Sequence, residues 1–111
     1  MDITTEKKHN CVTYKYVVNS DDDVVIGRAY LHVIYNDSDD MYYGLLADVH
    51  VDEKFRQQGI GTRLVMKVVE EAKIKNCKWL VSTSRYTRPH VHKWYNKLGF
   101  IDRGKEFRID F

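Results

Sequence analysis

The residues with the most chemical potential lie between Val49 and Thr62. There an apolar run ends, a polar loop follows, and two glycines stand at the start of a helical pattern. The first backbone N–H groups of a helix have no partner within the helix and carry the positive end of its dipole, so they bind anions. Gly59 and Gly61 let an anion approach the backbone closely. This arrangement is typical of a pyrophosphate-binding loop.

Two common phosphate loops do not match this segment. A Walker A loop requires Gly-Lys-Ser/Thr, and Gly61-Thr62 lacks the lysine. The dinucleotide fingerprint requires a third small residue where Leu64 stands, and an acidic residue after a second parallel strand. Taken alone, the glycines are better explained by an ordinary strand-to-helix turn in which they serve packing.

Asp48 and His50 are the candidate acid–base residues. They alternate with Ala47, Val49 and Val51, so an extended backbone places both on one face of a strand. Histidine titrates near neutral pH and is a natural proton acceptor, whereas a carboxylate there could bind a cationic acceptor or pass a proton through water. A β-bulge, common beside active sites, would change which face looks inward. The base therefore stays open among Asp48, His50 and water, and both side chains could instead be solvated.

The elements that position these residues begin with a predicted meander. Three extended runs at 12–19, 24–35 and 41–51 are separated by short turns rich in Asp, Asn and Ser. Short polar loops between extended runs predict antiparallel pairing.

Helical spacing replaces alternation after residue 59. The apolar residues over 60–76 form one stripe of an amphipathic helix, namely Ile60, Leu64, Val65, Val68, Val69 and Ala72. A short buried strand over 79–83 follows, then a second helix from Pro89 to Leu98 that ends at a left-handed Gly99. One or two closing strands are expected within 100–111. The whole predicts a mixed α/β sheet in a single domain, residues 1–111.

Composition narrows the class of protein. The chain has 111 residues, 43% hydrophobic and 31% charged, and its net charge of +2 argues against nucleic acid as the main partner. The first ten residues have no apolar run of a signal peptide, and no run approaches the length of a membrane span. Cys11 and Cys77 match no metal spacing, and His90 and His92 have no suitable metal-ligating companions. We expect a cytoplasmic, soluble protein without a metal site and without a membrane or nucleic-acid partner.

Two motifs in register resemble a known family. The run from Arg56 to Gly61 reads RQQGIG and resembles the Arg/Gln-x-x-Gly-x-Gly/Ala acetyl-CoA loop of the GNAT superfamily of N-acetyltransferases. The run from Trp94 to Phe100 reads WYNKLGF and is similar to the family's second signature, a helix carrying Tyr-x-x-x-Gly-Phe. Order, spacing and predicted elements agree over residues 45–101, about half of the chain.

The resemblance implies the GNAT fold, with acetyl-CoA as cosubstrate in a sheet that splays apart. It implies that the backbone of Val49, His50 and Val51 pairs with the pantetheine arm and that Tyr95 lies near the thioester sulfur. It also implies that the segment from Arg56 to Thr62 binds the cofactor. The pyrophosphate would be held by the backbone amides of Gln57, Gln58, Gly59, Ile60, Gly61 and Thr62.

Acetyl transfer to a primary amine in a ternary complex makes four demands on such a site. The ammonium must lose a proton, the amine must be held against the carbonyl, the oxyanion needs a donor, and the leaving thiolate must be stabilised or protonated. Asp48 or His50 is the candidate base, a backbone N–H of His50 or Val51 the oxyanion donor, and the Tyr95 hydroxyl the thiolate's partner. Related spermidine/spermine-type enzymes carry adjacent carboxylates here, whereas this chain has Ala47 before Asp48.

The front half departs from the usual family plan. Most members place two helices between the first two strands, and no helical pattern fits residues 1–44. A sheet face without its helices exposes apolar surface, which predicts a homodimer. Residues 1–58 carry 6 basic and 11 acidic residues, net −5, and residues 59–111 carry 12 and 5, net +7. An acidic front half favours a cationic amine acceptor. A non-catalytic CoA-binding or regulatory module of the same fold is the alternative.

Overall fold

The computed structural model describes residues 1–84 and 88–111, and begins with three antiparallel strands. These are β1 (Cys11–Asn19), β2 (Val25–Asn36) and β3 (Met41–Val51). The turns between them contain Asp23 and Asp40 in the left-handed region, at φ 61° and 50°, a conformation that aspartate tolerates. The predicted meander is confirmed, and β1 runs directly into β2 without an intervening helix.

The second half of the chain adds helices and a parallel strand. After a single 3-10 turn (Glu53–Phe55) come α1 (Ile60–Ile74), β4 (Cys77–Val81) and α2 (Pro89–Lys97). The four strands lie in the order β1-β2-β3-β4, with β3 and β4 parallel. The predicted mixed α/β sheet is therefore confirmed.

The hydrophobic core lies between α1 and one face of the sheet. Leu31 of β2 and Val65 and Val68 of α1 are fully buried. The predicted helical stripe is the buried face of α1, with Val69 half-buried at its margin. Burial of this stripe fixes the rotation of α1 about its axis, and so fixes the direction in which its first turn points.

The opposite face of the sheet is turned away from α1. Its residues alternate along each strand with the buried ones and face each other across the ladder, as Lys15 faces Tyr30 and Thr13 faces His32. We call this surface the open face; its residues are Thr13, Lys15, Arg28, Tyr30, His32, Tyr43 and Trp79. Tyr43 and Trp79 stack with their ring centroids 5.9 Å apart.

Two expectations from the sequence need correction. No strand forms in residues 100–111, whose side chains are exposed after the half-buried Phe100 and whose hydrogen bonds are local, because alternation specifies a strand only where a neighbouring edge accepts it. The fourth strand lies at 77–81 rather than 79–83 and is mostly exposed. The first helix ends at Ile74, and Asn76 is confirmed as its stop, at φ 63°. The left-handed stop at Gly99 is confirmed, at φ 99°.

Candidate active site

The first turn of α1 presents unpaired backbone amides. Gly59 caps the helix at φ 78° without a side-chain hydrogen bond, and Gln57 is also left-handed at φ 64°. The first helical bond runs from the Arg63 N–H to the Gly59 carbonyl, at 3.0 Å. The N–H groups of residues 60–62 therefore have no partner within the helix, and left-handed residues beside them produce the concave amide arrangement that binds anions.

A cleft of about 680 Å³ opens in front of this turn. Most of the predicted cofactor-binding residues line it: Val49, His50, Val51, Arg56, Gln57, Gly59, Ile60, Gly61 and Thr62. Gln58, Asp48 and Tyr95 are not part of this lining. Phe55, Val91 and Trp94, which the sequence did not single out, complete the wall together with Arg88 and His90. The volume lies within the range of small-molecule and cofactor sites.

The strand edge beside the cleft is open. β4 pairs with β3 only as far as Leu45, so within the described residues the end of β3 has no neighbour on that side. The Asp52 N–H donates to the Ile26 carbonyl at 2.8 Å, which makes Gly27 and Val51 a non-hydrogen-bonded pair. In such a pair the N–H and C=O groups of Val51 point away from β2, toward the cleft.

Arg56 connects the loop to this strand edge. Its Nε donates to the Val51 carbonyl at 2.9 Å, so the side chain closes the turn between β3 and α1. The Val51 carbonyl is thus already engaged, while the Val51 N–H faces the open edge. The side chain of Arg56 has a structural contact here that its place in the motif did not reveal.

A β-bulge alters β3 beside the cleft. Arg28 of β2 faces His50, whereas Tyr30 faces Ala47, so Ala29 alone faces both Asp48 and Val49. Asp48 takes φ 51°, the left-handed conformation that a bulge demands and aspartate accepts. Simple alternation therefore fails at Asp48, as the sequence allowed.

The bulge turns Asp48 onto Arg28. Arg28 Nε donates to Asp48 Oδ2 at 3.1 Å and Nη2 to Oδ1 at 3.2 Å, a two-bond fork. The hydrogen bond from Arg28 is the main reason that the pKa of the Asp48 carboxyl is lowered. A carboxylate that is paired and has a lowered pKa is a weak proton acceptor.

His50 lies at the cleft and faces Arg28 across the ladder. Its Nε2 is 3.7 Å from Asp52 Oδ1, too long for a hydrogen bond and short enough to attract a protonated imidazole. The bulge thus brings both predicted acid–base residues to Arg28 and leaves His50 as the one on the cleft wall.

Helix α2 contributes an aromatic wall. The Trp94 Nε1–H donates to Thr62 Oγ1 at 3.0 Å and joins α2 to the first turn of α1. A Cβ at Gly61 would lie 3.7 Å from the Trp94 ring, an ordinary contact. Tyr95 is half-buried and packs on Trp94 and Phe100, with ring centroids 5.1 and 5.2 Å away. Trp94 directly precedes Tyr95 in the second motif, WYNKLGF, and this position could have indicated that Trp94 lies at the site.

Two further findings concern the described residues as a whole. Over residues 1–84 and 88–111, no three His, Cys, Asp or Glu side chains are grouped so that they could hold a metal ion. In the same ranges no helix has the length and apolar character needed to cross a bilayer. Arg85 and Arg88 precede α2 and are basic residues that could contact a CoA phosphate or an acidic acceptor; Arg88 lines the cleft, and Arg85 lies outside the described residues.

The fold and the amide-lined cleft define the class of this protein. The acetyltransferase (GNAT) family model matches residues 2–100, and the chain belongs to that family. N-alpha-acetyltransferase 30 of Xenopus laevis is 35% identical over 65 residues, 59% of this chain and 24% of that protein. Glucosamine 6-phosphate N-acetyltransferase of Trypanosoma brucei brucei is 34% identical over 68 residues, 60% of this chain and 44% of that one. The chain thus spans less than half the length of either relative.

Solved structures show the same fold. An acetyltransferase of Trypanosoma brucei superposes with a TM-score of 0.81 at 25% identity, over 89% of this chain and 69% of that one. The glucosamine-6-phosphate N-acetyltransferase of Arabidopsis thaliana superposes with a TM-score of 0.80 at 16% identity, over 89% and 67%.

Proposed function

We propose that this protein is an acetyl-CoA-dependent N-acetyltransferase that acts on a primary amine by direct attack in a ternary complex. The observation that carries the proposal is the cleft itself, where the unpaired amides of α1 meet the open edge of β3. Membership of the GNAT family, which uses acetyl-CoA as a cosubstrate, supports this assignment.

The cleft offers a separate group for each part of acetyl-CoA. The amides from Gln57 to Thr62 are suited to the pyrophosphate, because they lie at the positive end of α1 and those of residues 60–62 have no partner within the helix. The outward N–H of Val51 is suited to the pantetheine arm or to the thioester oxygen. Arg88 and His90, on the cleft wall, add positive charge or hydrogen-bond donors near the phosphates.

We assign the proton acceptor to His50 rather than Asp48. His50 lies on the cleft wall, and Asp52 attracts the imidazolium that forms when the imidazole takes the proton. Asp48 is occupied by Arg28, and the pKa of its carboxyl is lowered. In the transfer step the free amine bonds to the carbonyl carbon, the carbon–sulfur bond breaks, and the products are an acetamide and the CoA thiol.

Tyr95 is proposed to protonate or stabilise the leaving thiolate. It follows Trp94, which lines the cleft, and its ring packs on Trp94. Tyr95→Phe should lower turnover at least tenfold, while acetyl-CoA affinity changes little, if the hydroxyl contributes about 1.5 kcal/mol or more to the transition state alone. Thiol release and calorimetry measure the two quantities.

Tyr42→Phe, at the far end of β3, is the matched control and should leave both quantities unchanged. Unchanged turnover in Tyr95→Phe would remove Tyr95 from the mechanism.

The acceptor class follows from charge and from the relatives. Residues 1–58 carry a net charge of −5, which favours approach of a cationic amine, such as a small-molecule amine or a lysine or peptide amine. The names of the relatives include an N-alpha-acetyltransferase and a glucosamine 6-phosphate N-acetyltransferase.

We propose a cytoplasmic homodimer, and the open face supports the dimer. Trp79 is half exposed at the sheet edge and stacks on Tyr43, and nothing in the described chain separates β1 from β2 to cover this face with a helical hairpin. A second copy would bury this aromatic pair.

A non-catalytic CoA-binding module is the second candidate. The observation that favours it is the Arg28–Asp48 pair, which removes one of the two predicted bases from use. Such a module would bind acetyl-CoA and release no thiol with any amine.

One experiment separates these candidates. Calorimetry first measures the binding of acetyl-CoA to residues 1–111. Thiol release by the same protein is then measured with a panel of amines. Binding with amine-dependent thiol release supports the enzyme, and binding without release for every amine supports the module. No heat on titration with acetyl-CoA, together with an unchanged melting temperature, would contradict both.

A further inference from the structure

Arg28 is a charged residue beside the cleft to which the proposed reaction gives no role. It faces His50 directly across the β2–β3 ladder, where opposite residues lie roughly 5 Å apart at Cα. Its side chain is about one-third exposed, at 36%. Arg28 therefore presents a cation on the open face one ladder position from the cleft wall.

The guanidinium keeps unused hydrogen-bond donors. Nε and Nη2 each bond one Asp48 oxygen, which takes two of the five N–H groups of an arginine side chain. Asp48 is the hydrogen-bond partner that the described residues give to Arg28. Other charged or titratable groups around it are His50 and Asp52 on the β3 side, Tyr30 on β2 and Lys15 on β1. Asp48 thus holds the Arg28 guanidinium in place. The guanidinium N–H groups that Asp48 does not accept belong to a partly exposed side chain.

The Arg28–Asp48 pair would distinguish amine acceptors that carry an anionic group from those that do not. An acceptor that carries only an ammonium group can bond the free lone pairs of Asp48, but it offers no partner to the remaining Arg28 donors. An acceptor that also carries an anion can bond the remaining Arg28 donors while Asp48 keeps the fork oriented. Guanidinium groups match phosphate and carboxylate oxygens in two-bond geometry.

We propose that Arg28 binds the anionic group of an amine acceptor, a phosphate or a carboxylate, and so selects acceptors that carry an anion. This inference rests on the proposed acetyltransferase function and narrows its acceptor class. Arg28 is then a specificity-determining residue, with the amine directed toward His50 and the anion toward the open face.

Matched acceptor pairs test the proposal. Glucosamine 6-phosphate is compared with glucosamine, and β-alanine with propylamine, by kcat/KM for thiol release. The anionic member of at least one pair should be favoured by about tenfold to a hundredfold, the range of a charged hydrogen bond. The phosphate and carboxylate pairs show which anion is preferred.

Variants then test whether Arg28 causes the preference for anionic acceptors. Arg28→Gln should bring the ratio close to one, and Arg28→Lys should keep part of it, since the charge stays and the fork is lost. Lys15→Gln removes one positive charge from the same face and should keep the wild-type ratio. Acetyl-CoA affinity of all three should match wild type, and Arg28→Gln should lose only the stability that its pair with Asp48 supplies; if Arg28→Gln fails to fold, Arg28→Lys and Lys15→Gln decide.

Three results would overturn the inference while the enzyme assignment stands. These are equal rates for both members of each pair, an unchanged ratio in the Arg28 variants, and an equal loss of ratio in Lys15→Gln. Absence of acetyl-CoA binding in the wild type would instead remove the proposed function, and this inference with it.

Discussion

At the scale of single residues, the candidate site depends on a few unusual backbone conformations. Gln57, Gly59 and Asp48 all have positive φ, and all lie within the loop or strand that borders the cleft. Glycine takes this conformation freely, and aspartate takes it at a small cost. The loop and the bulge are thus local solutions that bring amides and side chains to one place.

Gly59 provides a direct test of the loop. Gly59→Ala should destabilise the protein by about 1–2 kcal/mol, because φ 78° is unfavourable for any residue with a Cβ, and it should weaken acetyl-CoA binding. Chemical denaturation and calorimetry measure the two effects. Gly104→Ala, at an open position without positive φ, should change stability by less than about 0.5 kcal/mol. Equal effects at both positions would contradict the role of the left-handed cap.

The Arg28–Asp48 pair predicts how stability depends on pH. Because the folded-state pKa of Asp48 is lowered below its ordinary value of 3.8, the pair stabilises the fold above that pH and loses its effect as the pH falls through the lowered pKa. Asp48→Asn should therefore lose less stability than wild type as the pH is lowered from about 5 to 3, in urea titrations. Arg28→Gln should show the same flattened profile, and a wild-type profile in both variants would exclude the pair as the cause.

At the scale of elements, the sequence correctly predicted helices and strands that bury one of their faces. The apolar stripe predicted the buried face of α1, because burial imposes a helical period on the apolar residues. The loop that borders the cleft was also predictable, because glycine and polar residues are the types that adopt the backbone conformations of such a turn. The bulge at Asp48, the Arg28 pair and the Arg56 contact to Val51 were not, since they depend on ladder register and on contacts between distant residues. The closing strands expected in 100–111 were wrong for the same reason: a strand needs a partner edge.

The contact between α1 and α2 yields a prediction at this scale. Trp94→Phe removes the donor to Thr62 and should cost about 1 kcal/mol of stability, measured by denaturation. The chain has two tryptophans, and Trp94 is the one that lines the cleft. Acetyl-CoA should therefore change the fluorescence of Trp79→Phe, which keeps Trp94, and leave that of Trp94→Phe nearly constant. The reverse pattern would place the coenzyme away from α2.

At the scale of the whole molecule, the sheet has two dissimilar faces. One is covered by α1 and holds the buried core, and the open face carries partly exposed aromatic and charged side chains. The front of this face, at Arg28, belongs to the proposed acceptor site, and the β4 end, at Tyr43 and Trp79, lies several ladder positions away. The same face can therefore serve an acceptor at one end and a second copy at the other.

The predicted homodimer is tested by mass in solution. Light scattering at micromolar concentration should give twice the chain mass of 13.2 kDa. Trp79→Glu should shift the mass toward the monomer, because a charge would be buried in the aromatic contact. Met66→Glu changes an exposed side chain of α1 in the same way and should leave the mass unchanged. A monomer for the wild-type protein at every concentration would rule the dimer out.

The unpaired end of β3 also has a practical consequence for handling the protein. A row of free backbone donors and acceptors is a template on which another polypeptide can assemble, and many proteins cover such rows to avoid precipitation. If the coenzyme occupies this edge, it also shields it. Preparations kept with acetyl-CoA should then stay clear during storage and concentration for longer than preparations kept without it, whatever the turnover rate.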